Sequence, residues 1–344
     1  MKVGFRRVAM VSYRLGGLDG VSVEADKWRW ALEQLGLEVT TVAGAGTADV
    51  LVSNLGAWDG GFPDTEALEA ALAGADLVVA ENICSLPLNP AASEAVAAAM
   101  QDRPGLIHHH DLAWQRPGLG DRVANDRRWV HVTVNDLSRR QLESRGIGAV
   151  TVRNRFEPDP TPGDGAATRV ALGLEERTRL VLQPTRAIAR KNVAAGLAVA
   201  DALGATFWLT GPAEEDYRPE LDRLLSTAPV PVIHRPAPLD MSGAYAAADA
   251  VVLPSWWEGF GNPAVEASIH RRPVLVGPYP VADELIALGF RWFRRATQLA
   301  AFLDRPDTGR LEHNRAVAAG QLSLDGLPAI LQTLLDELEG RSAD

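Results

Sequence analysis

Ala250-Val251-Val252-Leu253-Pro254-Ser255-Trp256-Trp257-Glu258-Gly259-Phe260-Gly261-Asn262-Pro263-Ala264-Val265-Glu266 reads as a buried strand, a glycine-bearing loop and the start of a helix. Four consecutive apolar residues before Pro254 suit a short strand covered on both faces. Asn262 is a favoured N-cap residue, and Pro263 has its φ preset for a first helical turn. Gly259 and Gly261 let the backbone come close to a ligand, and the free N–H groups of a helix start attract anions. Glu258 stands on the loop and Glu266 one turn into the helix, so both carboxylates can turn to one side. A carboxylate can accept two hydrogen bonds from neighbouring sugar hydroxyls. A capped helix with Glu266 complementing its dipole accounts for part of this pattern. It does not account for Glu258, both glycines and the proline-started helix together.

The same alternation extends in both directions. Downstream of residue 165, strands are expected at 180–183, 206–210, 231–234, 250–254 and 274–276. Helices are expected between them at 194–203, 219–225 and 245–248, then from 263, at 282–288, 297–303 and 327–338. Upstream, strands at 8–11, 39–42, 50–53, 77–80, 106–109 and 130–134 alternate with helices at 23–35, 67–73, 91–100 and 137–145. In the first of these helices Ala25, Trp28, Ala31, Leu32 and Leu35 share one face. Between the two series, Glu157-Pro158-Asp159-Pro160-Thr161-Pro162-Gly163-Asp164-Gly165 has three prolines and two glycines, a linker composition. The expectation is an α/β chain of two doubly wound, Rossmann-like parallel-sheet domains facing a central cleft. The first spans 1–156 and the second 166–344, with the last helix able to pack back on the first. Ligands of such sheets bind outside the carboxyl ends of the strands, so the cleft is the expected site.

Composition narrows the function. A net charge of −10 with no block of like charge argues against a nucleic-acid partner. Cys84 is the only cysteine, which excludes a disulfide within the chain and makes a cysteine-based zinc site improbable. The N-terminal apolar run is too short for a secretion signal, and no window approaches the ~18 apolar residues of a membrane span. A reduced, cytoplasmic protein is expected.

Three further stretches carry chemistry. Pro184-Thr185-Arg186-Ala187-Ile188-Ala189-Arg190-Lys191-Asn192 follows the first strand of the second series. Arg186 and Lys191, five residues apart, could hold a pyrophosphate without a metal and stabilise its departure; a solvated basic turn is the plain alternative. Gly16 and Gly17 open the first long helix, as a turn or as a phosphate approach. His108-His109-His110-Asp111-Leu112-Ala113-Trp114 ends another strand, and alternation puts His108 and His110 on one side and His109 on the other. Adjacent histidines raise a metal site, but no second ligand cluster with fitting spacing accompanies them, and none is expected.

These motifs, in this order, resemble retaining GT-B glycosyltransferases of the large family 4 type, whose signature is Glu-x7-Glu. The resemblance implies that Glu258 contacts the donor sugar and Glu266 the ribose. It implies that the backbone of Gly259, Phe260, Gly261 and Asn262 meets sugar and phosphate, and that Arg186 and Lys191 grip the diphosphate. Gly16 and Gly17 would approach the donor phosphate or the acceptor, and His110, with His109 second, would face the reacting sugar. Asp111, Trp114 and Asn154 become acceptor or hinge candidates. Two departures stand out: Arg155 replaces the usual glycine, and Ser268-Ile269-His270-Arg271-Arg272-Pro273 replaces a run of small residues.

The implied activity is retaining transfer of a hexose from a UDP- or GDP-linked sugar to a hydroxyl of a small-molecule or glycan acceptor, with no metal and no cofactor. There is no Asp-x-Asp handle for a metal diphosphate, and no carboxylate is identifiable as a covalent nucleophile. A sugar-nucleotide 2-epimerase or hydrolase on the same fold, or a non-catalytic nucleotide-sugar-binding protein, are the alternatives. Trp58, Phe62, Trp114 and Trp129 could form a stacking platform for an acceptor or lie in the core. Arg291-Trp292-Phe293-Arg294-Arg295 reads as a strand edge or a contact with an anionic surface.

Overall fold

The computed structural model describes residues 4–17, 19–214 and 216–343; Leu18, within the glycine-rich loop, lies outside them, as do residues 1–3 of the N-terminal run. The chain forms two compact units, Met1–Arg155 with Leu324–Asp344, and Phe156–Ser323.

The first unit runs β1 (Arg7–Leu15), α1 (Gly20–Gln34), β2 (Glu38–Gly46), β3 (Val50–Leu51), α2 (Thr65–Leu72) and β4 (Leu77–Glu81). It continues through α3 (Pro90–Met100), β5 (Gly105–His109), β6 (Trp129–Thr133), α4 (Asp136–Glu143) and β7 (Ala149–Thr151). Its sheet has the order β3-β2-β1-β4-β5-β6-β7, with every pairing parallel. The central strands are largely apolar because both faces are covered. Along β1, Val8 and Met10 join the cluster that holds Trp28 and Leu32 of α1, whereas Ala9, Val11 and Tyr13 join the opposite one with Leu68 and Val96. The period of two sorts the strand between two cores.

The second unit runs α5 (Gly165–Ala171), β8 (Leu180–Gln183), α6 (Val193–Ala202), β9 (Thr206–Leu209), α7 (Arg218–Ser226), β10 (Val232–His234) and α8 (Met241–Ala247). Then come β11 (Ala250–Leu253), α9 (Asn262–Ile269), β12 (Val274–Val276), α10 (Pro280–Ala287), α11 (Ala296–Asp304) and α12 (Thr308–Leu322). Its sheet is parallel in the order β10-β9-β8-β11-β12.

Two expectations about boundaries are corrected. The proline-rich stretch 157–165 belongs to the second unit: Asp164 caps α5 by accepting from the Ala167 N–H at 2.8 Å. A Cβ on Gly163 would lie 2.0 Å from the Ser242 backbone, so the segment is pressed against α8 and is no free tether. The second correction is that the second unit ends at Ser323. Phe156 donates its N–H to the Leu322 carbonyl at 2.8 Å, bringing the two ends of that unit together. The last helix, α13 (Leu327–Ala343), then places Leu331, Leu335 and Leu338 in the same cluster as Trp28 of the first unit.

The pattern reading also lacks α12. Only Asn314, Ala318 and Leu322 are buried along it, too sparse a stripe to stand out in the sequence.

Leu335 is fully buried. Leu335→Ala should therefore lower the stability of the first unit by about 3 kcal/mol. Urea unfolding followed by tryptophan fluorescence measures this, and an unchanged midpoint would contradict the placement of α13.

Candidate active site

In both sheets the strand order reverses beside the first strand of the unit, between β1 and β4 and between β8 and β11. A doubly wound sheet leaves its crevice at such a reversal, outside the carboxyl ends of the strands. The loops that leave β8 and β11 are the two motif-bearing loops of the second unit.

They are tied together by their own hydrogen bonds. Trp256 donates its N–H to the Arg190 carbonyl at 2.9 Å. Asn192 sits in the left-handed region (φ 52°), caps α6 through its side-chain oxygen, and donates its amide to the Pro254 carbonyl at 3.2 Å. Within this frame Lys191 donates to both oxygens of Glu258, at 2.7 and 2.5 Å. Ser255 Oγ adds a bond of 2.6 Å to the same carboxylate, and Arg190 approaches at 3.4 Å. Burial alone would raise the Glu258 carboxyl, but Lys191 and Arg190 outweigh it and hold the group below its ordinary range. Burial lowers the Lys191 ammonium, against the pull of Glu258. Arg190, an extra cation in the sequence, thus has a partner.

Arg186 is not part of this cluster. It pairs with Glu214 at 2.6 Å and is about one-third exposed. The loop therefore carries one buried cation locked to Glu258 and another at the surface.

The start of α9 differs from expectation. Its cap is Gly261, in the left-handed region at φ 100°, and Asn262 is already the first helical residue. A backbone turned this way needs glycine. A side chain at 261 would also meet the Tyr279 hydroxyl at 2.7 Å. Phe260 is buried and stacks on Phe156. Glu266 accepts from the Tyr245 hydroxyl at 2.5 Å, and the Tyr245 ring stacks on His270 at 5.1 Å. The unusual His270 is thus part of what holds Glu266. Of the basic pair that follows it, Arg271 pairs with Glu312.

In the first unit, Gly16 adopts φ 72°, and a Cβ there would lie 1.8 Å from Thr47 Oγ1. Asp19 closes the loop, capping α1 through the Ser22 N–H and pairing with Arg14. The histidines separate as alternation requires. His109 turns to His131, 2.9 Å away, while His108 and His110 both meet Glu81 Oε2, at 2.9 and 2.8 Å. Glu81 is fully buried, yet His108 and His110 hold its carboxyl down to about 2 against the effect of burial. Burial would lower His110, but Glu81, Glu24 and Asp111 raise it; His108 stays lowered by burial.

Among the described residues, Glu81, His108 and His110 are the group spaced closely enough to take a metal ion. In this arrangement the two nearest imidazole nitrogens donate to the carboxylate, which already satisfies those three atoms.

The remaining candidates have local partners. Asp111 pairs with Arg116 at 3.1 Å. Trp114 donates to Gln141 and carries the Arg145 guanidinium over its ring at 3.7 Å. Asn154 is buried. Trp129 is core, whereas Trp58 and Phe62 are 78% and 87% exposed, so the four aromatic residues do not form one platform. Trp292 and Phe293 are buried, and Phe293 bridges to Leu275 as a strand edge, which leaves no apolar face there for a membrane surface. No helix among the described residues is long and apolar enough to cross a membrane.

Glu81, Tyr245 and Ser255 escape the sequence reading. Each acts on a motif residue from another element or an earlier turn, and a partner's partner leaves no periodic signal.

The depressed carboxylates imply a pH dependence. A carboxyl lowered on folding stabilises above its unfolded value and loses that contribution as pH falls through the folded one. For Glu81 the window runs from its ordinary 4.5 down to about 2. A raised histidine, His110, adds stability below its ordinary 6.5 that disappears as pH rises through its folded value. Urea midpoints should decline as pH falls from 4.5 to about 2, and Glu81→Gln should flatten this acid decline. A variant with an unaltered acid limb would contradict the assignment.

Residues 188–302 match the family model described as "Glycosyl transferases group 1". Mannosylglucosylglycerate synthase of Thermotoga maritima is 26% identical over 94% of this chain and 98% of its own length. The enzyme of the same name from Petrotoga mobilis is 26% identical over 82% and 85%. Among solved structures, Anabaena HepE in complex with UDP-glucose superposes with a TM-score of 0.71 at 18% identity, covering 96% of this chain and 99% of that one. Sucrose-phosphate synthase of Thermosynechococcus elongatus gives 0.75 at 14% identity, covering 97% and 99%. The matched segment lies inside the second unit and contains Lys191, Glu258 and Glu266. The chain is a glycosyltransferase of the GT-B fold whose second unit matches the group 1 glycosyl transferase model.

Proposed function

We propose that the protein transfers a hexose from a UDP- or GDP-linked sugar to a hydroxyl of a small polar acceptor, with retention of configuration and with no metal ion. The buried Lys191–Glu258 pair at the strand reversal carries this reading. A fixed ammonium beside a helix start suits a diphosphate, and its effect is large where water is excluded. Arg190 stands beside it, and Arg186 can exchange Glu214 for a phosphate. Lys191 with Ser255 occupies one Glu258 oxygen and Lys191 with Arg190 the other, so a sugar hydroxyl reaches this carboxylate by displacing Arg190, whose contact of 3.4 Å is the longest of the four. Glu266, fixed by Tyr245, is the group proposed for the ribose.

In the reaction, the bond between the anomeric carbon and the diphosphate oxygen breaks as the acceptor oxygen bonds to the same face. The acceptor proton passes to the departing diphosphate, whose charge Lys191 and Arg186 neutralise. His110 is proposed as the first unit's group for the reacting sugar. The relatives are named for making a mannosyl derivative of glucosylglycerate, and HepE is described with UDP-glucose. Glucosylglycerate with GDP-mannose and with UDP-glucose is therefore the first pair of reactions to run.

In these assays, a product whose new linkage keeps the donor's anomeric configuration, formed equally in a chelator, is the expected result. An inverted product, or activity lost to chelator and restored by magnesium, would overturn the respective claim. Lys191→Ala should lower kcat/KM by about 10²–10³-fold. Because it strands a buried carboxylate, the double change with Glu258→Ala serves as the control for folding. Full activity in the folded double variant would remove the pair from the mechanism.

A further inference from the structure

We propose that Glu81 is a positioning residue that commits His110 Nε2 and thereby presents Nδ1 as the nitrogen His110 offers to substrate. The inference rests on the reading of His110 as a catalytic group. Four observations support it.

Glu81 ends an otherwise apolar strand and is wholly buried. An ionised carboxylate there is costly unless hydrogen-bonded donors surround it, and nothing in the sheet requires it. Both imidazoles meet its carboxylate at Oε2. Since a carboxylate only accepts, each ring must carry a hydrogen on the nitrogen that faces it: Nδ1 of His108 and Nε2 of His110.

The two rings then differ in what they have left. His108 Nε2 is buried with no partner, and its ring stacks on Trp28 at 4.1 Å. That ring is closed off. His110 is the least buried of the three, at 8%, and its Nδ1 has no hydrogen-bond partner among the described residues. It alone can address a ligand.

The next residue in the chain fixes the backbone of the same histidine. Asn82 Oδ1 accepts from the N–H groups of His110 and Asp111, each at 3.1 Å, while the Asn82 N–H donates to the His108 carbonyl at 2.9 Å. Asn82 adopts φ 62° to do this, a left-handed conformation that is unusual outside glycine. Two consecutive residues at the end of β4 thus hold both the ring and the main chain of His110. A rigid ring with one nitrogen committed is the arrangement that preorganises a hydrogen bond in a reacting complex.

The test combines spectroscopy and kinetics. In protein labelled with ¹⁵N-histidine, His110 should show a protonated, hydrogen-bonded Nε2, with Nδ1 as the titrating nitrogen. A neutral Nδ1–H tautomer in the unmodified protein would overturn the proposal whatever any variant does. Glu81→Gln keeps the shape but offers one acceptor and an amide that must donate, so one ring has to rearrange. With folding checked by thermal melting, kcat should fall at least tenfold, KM for the donor should stay within about twofold, and the His110 ¹⁵N pattern should change. Unchanged kcat and ¹⁵N pattern, with His110→Ala strongly impaired, would refute the positioning role alone. Unimpaired His110→Ala would instead refute the reading of His110 as catalytic.

Discussion

A carboxylate removed from water is stable only where donors or cations replace its hydration, and the penalty for leaving one uncompensated is several kcal/mol. Both units of this chain accept that cost beside the strand where the sheet order reverses. In the second unit the carboxylate is Glu258, compensated by Lys191, Ser255 and Arg190. In the first it is Glu81, compensated by two histidines. Most of the local geometry follows. The tie between the β8 and β11 loops, the left-handed Asn192 and the left-handed Asn82 each serve to hold donors around one of these two groups.

The two compensations differ in kind. Lys191 lies against Glu258 as a counter-charge that an approaching diphosphate can share, so donor binding spreads the charge of a pair already in place. The imidazoles around Glu81 are conditional: burial keeps His108 low while Glu81 and nearby acids raise His110. Of the two rings on Glu81, His110 is thus the one whose surroundings favour the charged form.

The fold was legible because parallel strands covered on both faces must be apolar. Runs such as 77–80 and 250–253 have no other economical explanation. The loop motifs were legible for a related reason: glycine and cations in short loops have few structural uses. What stayed hidden depends on distant pairs. Glu81 looks like the polar end of a strand until β5 is laid beside it in register, Glu81 opposite His108. Tyr245 is an ordinary helical aromatic until α9 brings Glu266 to its hydroxyl. The cap of α9 was misread because Asn262 is a good cap by type, whereas a left-handed turn at Gly261 moved the helix start by one residue. Residues 324–344 read as the tail of the second series, with the last helix able to pack back on the first unit, since nothing local tells a helix which of two cores its leucines will enter.

His270 shows how a departure from a family pattern can carry physical content. A bulky ring stands where small residues are usual, and it stacks on Tyr245 rather than pointing to solvent. Tyr245 is buried, its hydroxyl pushed well above its ordinary range by burial and by the neighbouring Glu266, so it remains a donor. A donor fixed on Glu266 occupies one carboxylate oxygen and leaves the other for a ligand. The carboxylate is then oriented before any nucleotide arrives, and less ordering remains for binding to supply. The ring at 270 belongs to the same construction as the glutamate four residues before it, which makes the departure a support for the site rather than a deviation from it.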